Sequence, residues 1–411
     1  MKGLKDTLTE LAGFRKTFEK LTAATMGNGV VPPESRLVGV DGFGSNPGNL
    51  RMLSYAPSTL PSAPALVVAL HGCTQSAAAY DYGSAWSSLA DAFGFAVLFP
   101  EQQTVNNPNR CFNWFLDSDT QRGQGEAHSI HEMIERMAKD QSVDRSRIFV
   151  VGLSAGGAMA SAMLASYPDV FAGGAILSGL PYRAATNMQT AFEAMAGKHK
   201  RSDREWGTLV RAASEHKGPW PKISIWHGTA DAIVSPANME HSISQWTSVH
   251  GAATIPDLED NLNGHSRRIW QEDGEDIIEA ISVAGMEHGV PLAAGAGGWG
   301  HVTPFHIEVG LSSSLHILKF WNLAEPSRVT DVEDDGVRRM PRQSIVSRSE
   351  YAGAQPASAR LAPGSDAHSP SSVITAALAA AGLLKPNGIP SPKDPSGIIA
   401  ATLRSVGLLK D

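Results

Sequence analysis

The chain has 411 residues, enough for one large domain with extensions or for two domains. Hydrophobic residues make up 42% and charged residues 18%, the balance of a globular protein. A net charge of −7 provides no basic field for nucleic acid or an anionic membrane, so neither is an expected partner.

Leu4, Leu8, Leu11, Phe18 and Leu21 recur near helical spacing, which predicts an amphipathic helix over 3–23 within an N-terminal segment 1–26. Its expected role is docking on its own domain or a second subunit, with a membrane or polymer surface as the alternative. Asp6, Glu10 and Glu19 interrupt it, so it does not read as a secretory signal. No apolar run approaches a transmembrane span. The expectation is a cytoplasmic protein, or an exported one if a leader has been trimmed. The two cysteines, Cys73 and Cys111, would be free thiols in the first case and a bridge in the second, and the sequence leaves both open.

A catalytic domain is expected over 27–323. Leu50–Tyr55 reads as an early strand, and Ala65–Leu70 and Phe95–Phe99 as buried strands, with a helix over Ser84–Phe93 between them. Glu126–Lys139 carries an apolar stripe at Ile130, Met133, Ile134 and Met137 and reads as a helix. Strands follow at Arg147–Val151, Phe171–Leu177 and Ile223–Trp226. Continuous apolar strands alternating with helices predict an α/β fold: a mostly parallel sheet covered by helices on both faces. Residues 182–222 interrupt this rhythm as a polar helical insertion, expected to cap a cleft. Arg267–Gln271 and Ile277–Val283 flank Glu272-Asp273-Gly274-Glu275, a hairpin signal, and Leu311–Trp321 closes the domain as a helix. Residues 324–370 read as a flexible linker. In 371–411, Val373–Lys385 is echoed by Ile398–Lys410 at a constant offset, each copy preceded by Ser372 or Ser396 and ending in Gly-Leu-Leu. Such short helices need a partner surface: the catalytic domain, each other, a second subunit or an apolar polymer.

Gly152-Leu153-Ser154-Ala155-Gly156 fits G-x-S-x-G between a strand and a helix, the arrangement that lifts a nucleophilic serine above a sheet edge. Such a serine needs a histidine to take its proton and a carboxylate to orient that histidine, in the chain order Ser, Asp or Glu, His of the α/β-hydrolase fold. Asp231, in the loop after Ile223–Trp226, supplies the acid. His288, in a glycine-flanked loop after the last strand, supplies the base; His301 and His306 are its rivals nearby. His227 reads as a supporting or core residue. His128 and His131 share a helix with Glu132 but lack a third ligand, so no metal is expected. The oxyanion needs two amides: that of Ala155, after the nucleophile, and that of Cys73 in His71-Gly72-Cys73-Thr74-Gln75.

These residues resemble the polyhydroxybutyrate depolymerase family of esterases, which includes feruloyl and acetylxylan esterase-like members. The likeness spans about 42–323. It includes Leu70–Gln75, Phe99–Gln102, Cys111–Phe115, Gly152–Met159, Tyr167–Ala172, Ser178–Pro181 and His227–Asp231. The resemblance implies a triad of Ser154, Asp231 and His288, an oxyanion donor at Cys73 and no metal or organic cofactor. It implies a polyhydroxyalkanoate or its oligomers as substrate, with small or carbohydrate-linked esters as the alternative. A catalytically silent protein docking on polymer granules is the rival of another class. Trp114 would line the acyl cleft by this resemblance, or else be a core tryptophan. The family pattern has a tryptophan soon after the catalytic histidine; here Gly289-Val290-Pro291 follows His288, and the nearest, Trp299, is a second candidate for substrate contact.

Overall fold

A computed structural model describes residues 34–295 and 298–324. The helix expected over 3–23, the linker beyond 324 and the repeat in 371–411 lie outside the described residues.

Twelve strands run along the described chain: β1 (Val38–Val40), β2 (Arg51–Tyr55), β3 (Leu66–Leu70), β4 (Ala96–Glu101), β5 (Ile148–Leu153), β6 (Gly173–Leu177), β7 (Lys222–Gly228), β8 (Leu258–Leu262), β9 (His265–Glu272), β10 (Glu275–Val283), β11 (Val290–Leu292) and β12 (His306–Glu308). Ten of these described strands form one sheet in the order β1-β2-β4-β3-β5-β6-β7-β10-β9-β8. The six from β4 to β10 are parallel to their neighbours. The sheet is mixed rather than wholly parallel, because β2 pairs antiparallel with β4 and the β8–β9–β10 meander closes the other side. This is the predicted α/β-hydrolase arrangement, and the hairpin expected around Gly274 is the turn between β9 and β10.

The sequence pattern explains the layers. Along β3, Leu66, Val68 and Leu70 enter one apolar core while Val67 and Ala69 enter the other, and β4 and β5 alternate in the same way. Both faces are therefore covered, which is why these strands read as unbroken apolar runs. On one face, Ile130, Met133, Ile134 and Met137 of the helix Gly125–Asp140 are all buried, as their spacing predicts. On the other lie Tyr80, Trp86, Leu89 and Phe93 with Ile317, Leu318 and Trp321. The helix expected over Ser84–Phe93 is Trp86–Phe93, and a second helix, Ala77–Ser84, precedes it, separated by Ala85 with a left-handed φ of 61°. Gly83 and Ser84, both weaker helix formers than Ala, immediately precede the break.

The helix Ala155–Ser166 is buried along its whole length between β5 and the insertion. Only small residues permit this approach. A Cβ on Gly156 would press into the backbone carbonyls of Leu70 and His71, and one on Gly152 into the carbonyl of Gly156. These obstacles are main chain and cannot rotate away. Gly156→Ala is expected to cost about 1–3 kcal/mol through overpacking, measured by urea unfolding; an unchanged midpoint would show that the turn has slack.

Candidate active site

Ser154 links β5 to the helix Ala155–Ser166 with φ 57° and ψ −116°. A positive φ is uncommon for a residue with a side chain and persists only where the surroundings impose it. Here the Ser154 amide donates to the Leu177 carbonyl at 2.9 Å, and its carbonyl accepts from Ala158 at 2.9 Å. Its hydroxyl does not cap the helix it precedes. The strained turn holds that hydroxyl at the C-terminal edge of the parallel strands.

Asp231 and His288 leave the same edge, from the loops after β7 and β10, which are adjacent and parallel. The two loops are laced together: Thr229 donates to Val283 and Ala230 to Met286, each at 3.0 Å. His288 Nδ1 lies 2.7 Å from Asp231 Oδ2. Asp231 Oδ1 accepts from the amides of Ile233 and Val234, both at 2.9 Å. His227 Nε2 donates to the Val234 carbonyl at 2.8 Å and lies 3.3 Å from Asp231 Oδ2, the supporting role expected of it. Burial alone raises the Asp231 carboxyl, but hydrogen bonds from His227 and His288 outweigh it and hold it below the usual carboxylate range. A carboxylate facing Nδ1 places the proton of the neutral ring there and leaves Nε2 as its basic nitrogen.

The loop after β3 is equally determined. His71 is fully buried; Nε2 accepts from the Gln102 amide at 3.1 Å and Nδ1 faces the Gly72 carbonyl at 2.8 Å. Those partners require the neutral Nδ1–H form, and burial pushes the ring below its ordinary value. Gln75 Oε1 accepts from the Gly72 amide, and the Asn109 carbonyl from that of Thr74. Among the described residues, the amides of Cys73 and Ala155 donate to no protein acceptor, as donors reserved for a ligand should. Cys73 is bonded to Cys111 across 38 residues, which answers the question the sequence left open.

That disulfide leads to residues whose role the motifs did not reveal. Glu126, buried at the start of the helix Gly125–Asp140, accepts from the Asn113 amide at 2.8 Å, Asn113 Nδ2 at 2.7 Å and Gln102 Nε2 at 2.5 Å. Gln102 Nε2 also reaches the Cys111 carbonyl. One carboxyl thus ties the His71 partner to the Cys111 loop. Burial, then the Asp119 charge, push it up to about 8 against those three donors.

Trp114 packs in one cluster with Ala155, Leu180, Trp206 and Val234, beside the Ser154 turn. Trp299 does not join it. Its ring packs 6.4 Å from that of Phe93, against the cluster on which Phe305 also packs. β11 and β12 show that β10 is not the last strand, although it is the last of the main sheet. Neither rival histidine contacts Asp231: His301 stacks on Tyr82, and His306 is buried with Nδ1 2.6 Å from Thr303 Oγ1. His131 stacks on Tyr167. Residues 182–222 contribute the helices Met188–Met195 and Asp203–Arg211; Ala191, Ala194 and Trp206 from them join the Trp114 cluster.

Two measurements probe this loop. Replacing both cysteines by serine is expected to cost about 2–4 kcal/mol in urea unfolding; no loss would mean that other contacts alone hold the loop. Glu126 gives up its proton near 4.5 in the unfolded chain but near 8 when folded. Between those values the folded state binds more protons, so stability falls as pH rises. Glu126→Gln is therefore expected to flatten the melting temperature between about pH 5 and 8 relative to the parent; parallel profiles would contradict the raised value.

The family described as Esterase PHB depolymerase matches residues 52–259. Poly(3-hydroxyalkanoate) depolymerase C of Paucimonas lemoignei is 44% identical over 291 residues, covering 70% of each chain. Feruloyl esterase B of Talaromyces funiculosus is 31% identical over 264 residues, 62% of this chain and 73% of that one. Among solved structures, an acetyl xylan esterase from Aspergillus awamori superposes with a TM-score of 0.61 at 24% identity, over 70% of this chain and 99% of that one, which supports the shared fold. By its sequence matches, the chain belongs to the PHB depolymerase family of esterases and is a carboxylic ester hydrolase.

Proposed function

We propose that the protein cleaves the ester bonds of a polyhydroxyalkanoate, or of its oligomers, through a covalent acyl-enzyme on Ser154. The observation that carries the mechanism is the 2.7 Å Asp231–His288 contact at the sheet edge that also presents Ser154. His288 Nε2 takes the hydroxyl proton as Ser154 Oγ bonds to the ester carbon. The carbonyl oxygen becomes an oxyanion held by the amides of Cys73 and Ala155. Its collapse breaks the ester C–O bond, and His288 returns the proton to the departing alcohol. A water, deprotonated by His288, then attacks the acyl carbon; the acid leaves and Ser154 recovers its proton. Asp231, buried and hydrogen-bonded, supports the imidazolium in both steps.

Trp114 and the helices of 182–222 are proposed as the walls and rim of the acyl cleft, since they cluster with Ala155. Similarity to the Paucimonas lemoignei depolymerase supports the polyester as substrate. Feruloyl or acetyl esters are the second reading, supported by the likeness to feruloyl esterase B. Among the described residues no helix is long and apolar enough to cross a membrane. The Cys73–Cys111 bridge favours an oxidising compartment over the cytoplasm expected from the first residues.

A fluorophosphonate probe is expected to label the parent protein at Ser154 and to leave Ser154→Ala unlabelled. Asp231→Asn should lower kcat about 10,000-fold, as the loss of the orienting acid does in other Ser-His-Asp enzymes. Turnover compared on amorphous polyhydroxybutyrate, hydroxybutyrate oligomers, p-nitrophenyl esters and methyl ferulate is expected to favour the first two. Preference for methyl ferulate would replace the substrate while keeping the mechanism.

A further inference from the structure

The chain makes an unusual backbone choice beside His288. Thr303 and His306 face each other across a two-residue turn, with Thr303 N donating to His306 O at 3.3 Å and His306 N to Thr303 O at 3.0 Å. Pro304 occupies the first central position and Phe305 the second, where φ is 68°. A proline followed by a positive φ is the pattern of a type II turn, whose second central position favours glycine. Phe is a costly residue there, and such strain persists only where surrounding contacts hold it.

Those contacts converge on His288. The Phe305 ring meets the imidazole edge-to-face, with centroids 6.1 Å apart and planes at 77°. The Phe305 carbonyl accepts from the Val290 amide at 2.8 Å, and Val290 pairs with His306 as β11 meets β12. A Cβ on Gly289 would lie 2.8 Å from that carbonyl and 2.9 Å from Ile307 Cδ1, so the chain just after His288 is closely hemmed in. The turn has a firm foundation: His306 is buried, its ring 5.7 Å from that of Tyr80, and a Cβ on Gly83 would strike its imidazole. Asp231 holds His288 by one ring nitrogen, which leaves the ring free to tilt about that bond; an aromatic surface against the ring removes this freedom.

We infer that Phe305 is a positioning residue for His288: the Thr303–His306 turn, anchored in the core, presses an aromatic ring against the imidazole so that Nε2 keeps one direction. The inference rests on the reading of His288 as the general base. It explains why the glycine position of the turn carries a bulky side chain, since glycine would relax the backbone but release the histidine.

Two substitutions separate ring from backbone. Phe305→Ala removes the ring and keeps the strained φ, whereas Phe305→Gly removes both. With p-nitrophenyl acetate, and per active site titrated with fluorophosphonate, both are expected to lower kcat about 10-fold or more, the scale of a misdirected catalytic group. KM should stay within about 2-fold, because the lost interaction acts in the chemical step. The Gly variant should melt no lower than the Ala variant, and Phe305→Tyr should keep parental turnover. An unchanged kcat in Phe305→Ala would overturn the inference, as would a raised KM with kcat preserved, which would assign the ring to substrate contact. If Phe305→Gly does not fold, Phe305→Ala decides alone. Failure of the general-base reading is separately visible: the parent protein would then resist the probe.

Discussion

The Ser154 turn exists because backbone meets backbone without side chains between. Gly152, Gly156 and Gly157 let the first turn of the helix Ala155–Ser166 rest on the ends of β3, β5 and β6, with carbonyls of Leu70, His71 and Leu177 where Cβ atoms would otherwise stand. That approach fixes more than the serine. It sets how far the helix dipole and the Ala155 amide stand from the loop that follows β3, and so the size of the space between the two proposed oxyanion donors. A wider approach would separate Ala155 from Cys73, and a tighter one is barred by hard contacts. The entirely buried helix and the positive φ at Ser154 follow from this packing.

Around that turn, buried polar groups are arranged so that each has one reasonable protonation state. His71 sits between a donor and an acceptor and must be neutral. Asp231 receives two amides on one oxygen and histidine on the other and remains ionised. Glu126 is pushed the other way by burial. The fold thus holds Asp231, Glu126 and His71 in different charge states within one region, and environment rather than residue type separates the two carboxyls.

Much of this was legible beforehand. The strand–glycine–helix context of Ser154, the acid after β7 and the glycine-flanked histidine after β10 follow from rules about where parallel sheets expose their loops, and those rules concern neighbours in sequence. The apolar stripe of Gly125–Asp140 was legible for the same reason. What escaped depends on partners far along the chain. Glu126 looked like an ordinary helical glutamate until Gln102 and Asn113 closed on it. Phe305 carries no motif of its own, and its contact with His288 comes from the turn between Thr303 and His306.

The strand order has one more consequence. Ser154, Asp231 and His288 follow the ends of β5, β7 and β10, and β10 reaches its place beside β7 only after the chain has made the excursion through β8 and β9. The mature constellation therefore depends on pairings between distant segments, which are slow to form because chain entropy is lost before contacts compensate. A partly folded chain carries a serine no more reactive than any other. Under the proposed mechanism hydrolysis requires the pairing of β7 with β10 that brings Asp231 to His288, so activity reports on a long-range contact of the fold.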